Sequence, residues 1–198
     1  MIPPWWALRN ASRLDIDGFQ SHFASAWSSI KFRFLKLECW QTYLELEANE
    51  SQDAYGRGDF AGARASLNLE AEADRPLYKD IQEHGIDYAR IRLIQEPLTD
   101  YLRYELMAYD IRERMGENIE VVRSDPLLLL PNDDYFDWLL FDRHTALIHD
   151  YGQGEAGLQS GGWVTRDTTT IATLESKAAA LRRTATSLAD FLKGLQRR

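Results

Sequence analysis

Residues 88–123 constrain the fold more than any other stretch of this sequence, because they spell out a strand, a helix and a second strand in succession. Across residues 88–95, Ala89, Ile91 and Leu93 fall on one face and Tyr88, Arg90, Arg92 and Ile94 on the other, the period of a half-buried strand. Glu96-Pro97 ends that strand. Thr99 or Asp100 then caps a helix running to about Met115, Gly116 stops it, and residues 118–123 return to strand character. A helix bracketed by two strands must lie against a sheet, so the chain is predicted to be α+β.

The flanks supply the rest of the architecture. Upstream, Phe19, Phe23, Trp27, Ile30, Phe34, Leu37, Trp40 and Leu44 recur at spacings of three and four, predicting one long helix from Asp17, with Asp17 and Gln20 as its capping box. Residues 51–59, with Gly56 and Gly58, carry turn chemistry and predict a loop. A short helix is expected over 60–69 and another from Asp74, ending before Gly85. Leu127, Leu128, Leu129 and Leu130, closed by Pro126 and Pro131, read equally as a short buried strand or a packed loop. Residues 136–141 and 144–149 flank Asp142-Arg143 and predict a hairpin pairing Trp138 with Leu147 and Phe136 with His149. Five glycines between Gly152 and Gly162 mark a bent connection, after which Trp163-Val164 is expected to add an edge strand.

At the far end Ile171, Leu174, Ala178, Leu181, Ala185, Leu188, Leu192 and Leu195 form a narrow helical seam, predicting one helix over residues 168–195. Each large apolar side chain buried there is worth about 1.5–3 kcal/mol, so the seam must be covered. Packing on the chain's own first helix and sheet is expected, with a homodimer as the alternative. The predicted fold is α+β: a small mixed or antiparallel sheet with a C-terminal hairpin, packed against long N- and C-terminal helices in one domain over residues 1–198.

Charge narrows the partners. The 23 basic and 31 acidic side chains give a net charge of −8, which repels a phosphate backbone, so direct nucleic-acid binding is not expected. The lone cysteine, Cys39, allows neither an internal disulfide nor a multi-cysteine metal site, which suits the cytoplasm. No apolar run reaches the roughly 20 residues that span a bilayer, and the start of the chain lacks the pattern of a secretion signal, so no membrane partner is expected. Trp5 and Trp6 are expected to close over the core.

No HExxH, P-loop, GxSxG or CxxC motif occurs. His22 and His84 fall on predicted helices, while His144 and His149 point to opposite strand faces, so no metal site and no cofactor are expected. Asp133, Asp134, Asp137 and Asp142 gather around the hairpin and read as turn-forming residues. The densest polar constellation is residues 90–105. There Arg90, Arg92 and Arg103 are the candidate ligand-binding cations, because guanidinium forks match a carboxylate or phosphate and a helix start points free N–H groups outward. Glu96, Asp100, Tyr101 and Glu105 are the candidate catalytic groups, with carboxyl pKa values tuned by the arginines. The competing reading is a salt-bridge network in which the arginines pair with Glu96, Asp100 or Glu105.

Those residues also carry a resemblance. The Arg-x-Arg, Glu-Pro-Leu-x-Asp-Tyr and Arg-Tyr-Glu elements of residues 90–105 resemble the actinobacterial family known as domain of unknown function 6879. Leu37-Glu38 with Tyr43, Gly116-Glu117-Asn118-Ile119, and the Phe-Asp-Trp-Leu-Leu-Phe-Asp run of residues 136–142 add to it. The glycine-rich stretch after Tyr151 is looser than the family's usual turn, and the carboxy-terminal helical seam is long, which leaves room for a specialised role. The resemblance implies a gene encoded beside helix-turn-helix regulators, in regulator–antagonist or toxin–antitoxin-like pairs.

Two functions are therefore expected. The leading one is a regulatory or interaction protein that binds a protein partner such as a helix-turn-helix regulator. The other is a small enzyme of natural-product or nucleotide metabolism that holds a small anionic ligand in an Arg/Glu/Tyr pocket. Convergence of residues 90–105 on a cavity would favour the enzyme, and mutual pairing of their charges the interaction protein.

Overall fold

The computed structural model describes residues 3–44, 49–152 and 157–197. In chain order the elements are α1 (Trp5–Leu8), β1 (Ser12–Leu14), α2 (Ile16–Ser28), β2 (Arg33–Glu38), α3 (Glu50–Gly56), α4 (Phe60–Glu83), β3 (Asp87–Ile94) and α5 (Asp100–Arg114). They continue with β4 (Ile119–Arg123), β5 (Trp138–Phe141), β6 (Thr145–Asp150), β7 (Gly161–Thr165), α6 (Thr168–Arg182), β8 (Thr186–Ser187) and α7 (Leu188–Gln196). All eight strands join one mixed sheet in the order β1-β7-β6-β5-β2-β3-β4-β8. The α+β expectation stands, and the sheet is larger than the small one predicted.

The centre of the sheet is parallel: β2 pairs with β3 and β3 with β4, and every other pairing is antiparallel. Parallel neighbours need crossover connections, supplied here by α3 with α4 and then by α5. Helices therefore cover both faces. Leu35, Leu37, Ala89, Ile91, Leu93, Trp138, Leu140 and Ile148 face α6, where Ile171, Leu174, Ala178 and Leu181 complete an apolar core. On the opposite face Phe34, Tyr88, Leu139, Phe141 and Leu147 pack against α2 and α4, while Ile94, Ile119 and Val121 pack against α5 and α7. Because both faces are covered, β3 is buried along nearly its whole length rather than half-buried as its alternation predicted.

The long first helix is corrected. Helix α2 ends at Ser28, and Phe34, Leu35 and Leu37 belong to β2. The break is held by Asp142, whose carboxylate accepts from the backbone N–H groups of Lys31, Phe32 and Arg33 at 3.0–3.1 Å. Asp15 rather than Asp17 caps α2, accepting from the Gly18 N–H at 2.8 Å.

The predicted loop over 51–59 is mostly helix α3, because the Asn49 side chain caps it and Ser51 and Ala54 are buried. The two helices expected next are one, α4, with Pro76 inside it. Proline removes one intrahelical bond, and the buried face of Leu67, Ala71, Tyr78 and Ile81 carries the helix through.

The hairpin β5–β6 forms one residue out of the predicted register, pairing Trp138 with Ile148 and Leu139 with Leu147. Asp142 adopts φ 50°, so the connection uses three residues instead of two. Trp163 and Val164 lie inside the sheet, since β1 covers β7 and takes the edge. Of the five glycines before it, Gly154 lies outside the described residues.

The carboxy-terminal seam is two helices, α6 and α7, because Thr186 and Ser187 pair with β4 and Ser187 caps α7. Each half buries its stripe within the chain, Leu181 under the sheet and Leu188 against α5 and β4. Trp6 packs edge-on against Phe136, as expected of a core lid, whereas Trp5 is 76% exposed.

Candidate functional site

Alternation along β2 and β3 brings Lys36, Glu38, Arg90 and Arg92 to the face beneath α5, because Lys36 pairs with Arg90 and Glu38 with Arg92 in parallel register. Arg90 is clamped at two corners: Nη1 donates to Glu38 at 2.9 Å and Nε to Glu117 at 2.6 Å. Arg92 donates through Nε to Glu105 at 2.8 Å and through its remaining nitrogens to the carbonyls of Glu38, Leu93 and Trp40. Lys36 completes the cluster, its ammonium 2.7 Å from Glu38.

Tyrosines fill the remaining acceptor positions. Tyr109 donates to Glu38 at 2.5 Å, while Tyr78 and Tyr88 donate to Glu117 at 3.0 and 2.8 Å. Nearby, Asp137 accepts from the Cys39 N–H at 2.7 Å and from the hydroxyls of Tyr43 and Tyr151. A charge buried without partners would neutralise or unfold the site, so these contacts are the condition for two arginines on a central strand. Burial alone would raise the Glu38 carboxyl, but Arg90, Lys36 and Arg92 hold it well below the ordinary range. Burial likewise raises Glu117, and there Arg90 and the Tyr88 hydroxyl bring it below its usual value. Burial pushes the Tyr43, Tyr109 and Tyr151 hydroxyls well up, and the adjacent carboxylates add to it.

Two cavities flank this network. A cleft of about 370 Å³ lies between α2, α4 and the sheet, lined by aromatic residues including Phe23, Trp27 and Phe34, with Lys36, Arg90, Arg112 and His149 at its polar end. A smaller cavity of about 210 Å³ is lined by Glu38, Tyr43, Tyr101, Glu105 and Tyr151. Lys36, His149 and Gln159 line both. Both ring nitrogens of His149 are closed to solvent, and the Gln159 side chain is the polar group set beside them. Burial, with Lys36 nearby, lowers its pKa to about 3, so the ring is neutral.

Of the residues singled out in the sequence, Arg90, Arg92 and Glu105 meet in the network. Tyr101 lines the smaller cavity beside Glu105. Glu96 pairs with Arg123 at 3.0 Å, and Arg103 and Asp100 are exposed on α5, Asp100 beside a separate cavity of about 260 Å³. The expected pairing of arginines with Glu96 or Asp100 is replaced by pairing with Glu38 and Glu117. Sequence reasoning did not place Lys36, Glu38, Tyr109, Glu117 or His149 in the site, although Glu38 and Glu117 stand in the motifs that carry the family resemblance. Lys36 and Glu38 had a signal, since two charges at i and i+2 share a strand face, but the long-helix reading of residues 34–44 hid it. Among the described residues no cluster of histidine, cysteine, aspartate and glutamate side chains suits a metal ion. No helix among them is long and apolar enough to cross a membrane.

No curated protein matches this sequence. The elements that carry the buried network, β2 with Glu38, β3 with its two arginines, α5 with Glu105 and the turn with Glu117, all fall inside residues 21–193, the span that matches the family model described as domain of unknown function (DUF6879). The chain belongs to that family.

Proposed function

We propose that this chain is a regulatory protein that works by binding a protein partner, and that the loop holding Leu127, Leu128 and Leu129 is its contact. The observation that carries this reading is the exposure of that loop: Leu127 is 93% and Leu129 80% exposed, next to Leu128 at 37%. The loop is also tethered. The Leu127 N–H donates to the Asp125 side chain at 2.8 Å, the Asn132 side chain to the Leu129 carbonyl at 2.7 Å, and the Gln95 side chain to the Leu128 carbonyl. Side chains presented by a pre-ordered loop lose little entropy on docking, which favours recognition.

Asp125 accepts from the Leu127 N–H at the base of the loop, Asp133 and Asp134 follow it within a few residues, and the chain carries a net charge of −8. Exposed leucines on an acidic chain suit a partner that offers an apolar groove among basic residues, and the basic DNA-facing side of a helix-turn-helix regulator would supply the charge. In this reading the chain is an antagonist that competes with DNA for that side. The test is co-purification from the native host followed by a DNA mobility-shift assay. A regulator that is retained by the wild type, released by the Leu127→Asp/Leu129→Asp variant and displaced from DNA by the wild type supports the proposal. Equal retention by both proteins overturns it.

A second reading, an enzyme of natural-product or nucleotide metabolism, rests on Tyr101 and Glu105 lining the smaller cavity with Lys36 and His149. There Glu105 would be the acid or base, its carboxyl raised by burial and by Glu38 against the opposing pull of Arg92. Of the arginines proposed to hold an anionic substrate, Arg92 is engaged at all three nitrogens by Glu105 and backbone carbonyls, Arg90 is engaged by Glu38 and Glu117 through Nη1 and Nε, and Arg103 is exposed on α5 away from this cavity. Turnover lost in Glu105→Gln while the fold is retained would favour this reading over the first.

A further inference from the structure

We infer that the cleft between α2 and α4 is a binding site for a small planar aromatic molecule bearing an acceptor oxygen, a carboxylate or a carbonyl. The cleft shares no residue with the leucine loop, so this site stands or falls independently of the proposed function.

Its walls define the apolar part of the ligand. Phe23 and Trp27 stack on α2 with centroids 5.9 Å apart and planes 8° from parallel, and Phe34 stacks on Tyr88 at 5.3 Å across the sheet. Phe23, Trp27 and Leu77 are only half-buried, and Gln20 is exposed, so the space opens to solvent and is not a sealed void. Apolar surface left wet is worth about 25 cal/mol per Å² to whatever covers it. Flat rings cover facing aromatic walls better than branched chains do. A volume of about 370 Å³ lies within the range of small-molecule sites and admits a two-ring system.

The polar end defines the functional group. Glu38 already accepts from Arg90, Lys36 and Tyr109, and Glu117 from Arg90, Tyr78 and Tyr88, so their acceptor capacity is largely filled. Donor capacity is not. Lys36 gives one of three N–H bonds to Glu38, its side chain 25% exposed, and Arg90 Nη2 donates to no described residue while Nε and Nη1 are engaged. The neutral His149 ring lines the same end with Gln159 beside it, so a bound ligand changes its surroundings directly. Spare donors around a buried floor recognise an oxygen, and the Lys36 ammonium favours a charged one.

Isothermal titration with 2-naphthoate, 2-naphthamide and cyclohexanecarboxylate tests the site. Both naphthyl compounds are expected to saturate one site, the naphthoate more tightly, with cyclohexanecarboxylate at least tenfold weaker. Lys36→Met should weaken naphthoate at least tenfold, Leu77→Trp should block the cleft, and Leu69→Trp, on the exposed side of α4, should leave binding intact. In parallel, nuclear magnetic resonance of protein carrying nitrogen-labelled histidine should show the His149 ring signals moving along the same titration curve. No saturation by either naphthyl compound overturns the inference, as does a His149 signal that stays still while binding saturates. Binding unchanged in a folded Leu77→Trp variant overturns it equally.

Discussion

Arg90 Nε lies 2.6 Å from Glu117 Oε1, and this contact ties the central strand of the sheet to the turn between α5 and β4. Glu117 is 2% exposed and Arg90 7%, so neither charge has bulk water to fall back on. A buried pair of this kind contributes little over an apolar replacement, yet removing one partner strands the other.

Arg90→Met should therefore destabilise the protein by roughly 3–5 kcal/mol, because buried Glu117 keeps only its two tyrosine hydroxyls and loses its paired cation, and Glu38 loses one of its two. Arg103→Ala, at an exposed position of α5, should change stability by less than about 0.5 kcal/mol. Urea unfolding of both variants checks the contrast. Equal effects would mean that the network is not what holds Arg90 in place.

His149 imposes a pH dependence. Its pKa is lowered from 6.5 to about 3 in the folded protein, so between these values the unfolded chain binds a proton that the folded one refuses. Stability from this group is complete above pH 6.5 and is lost as the pH falls toward 3. The slope approaches about 1.4 kcal/mol per pH unit in that window, or roughly 2–3 kcal/mol by pH 4.5. His149→Gln should flatten the stability profile between pH 6.5 and pH 4.5, measured by urea unfolding at each pH.

Glu38 and Glu117 act lower on the scale. Both carboxyls are held below their ordinary values in the fold, so their contribution is present above the unfolded pKa of about 4.3 and disappears as the pH falls through the lowered ones. Glu38→Gln should remove part of the acid-induced loss below pH ~4. An unchanged acid limb of the profile would contradict the pairing.

The two halves of the carboxy-terminal seam make a packing prediction. Leu181 sits under the sheet and Leu188, with no exposure, lies against α5 and β4. Leu181→Asp and Leu188→Asp should each destabilise the chain by more than about 2 kcal/mol and should not yield a folded, soluble monomer at native stability. A stable monomer in either variant would return the seam to an interface between copies.

Local signals were legible where the chain punctuates itself. Strand β3, helix α5 and strand β4 were readable because Thr99, Gly116 and the Glu96-Pro97 step mark their ends. The first helix was misread because Phe34 and Leu37 continue the three-and-four spacing of α2 by coincidence, while the break depends on Asp142, more than 100 residues away in sequence. The hairpin slipped by one residue because Asp142 adopts φ 50°, a conformation better suited to glycine or asparagine. For the site, Arg90, Arg92 and Glu105 were found together, being local to one strand–helix unit. Of their partners, Tyr109 lies one turn beyond Glu105 on the same helix, Glu117 follows that helix in the turn before β4, and Glu38 comes from β2, which the parallel sheet register sets beside β3.

The central claim is that this chain acts through Leu127 and Leu129, and the most direct test is the affinity of the purified partner for the wild type and for the Leu127→Asp/Leu129→Asp variant. Two leucines removed from an apolar contact account for roughly 3–6 kcal/mol together. The dissociation constant should therefore rise at least 100-fold, with the variant's unfolding midpoint unchanged because both side chains are exposed in the free protein. An equal dissociation constant for the two proteins would contradict the claim.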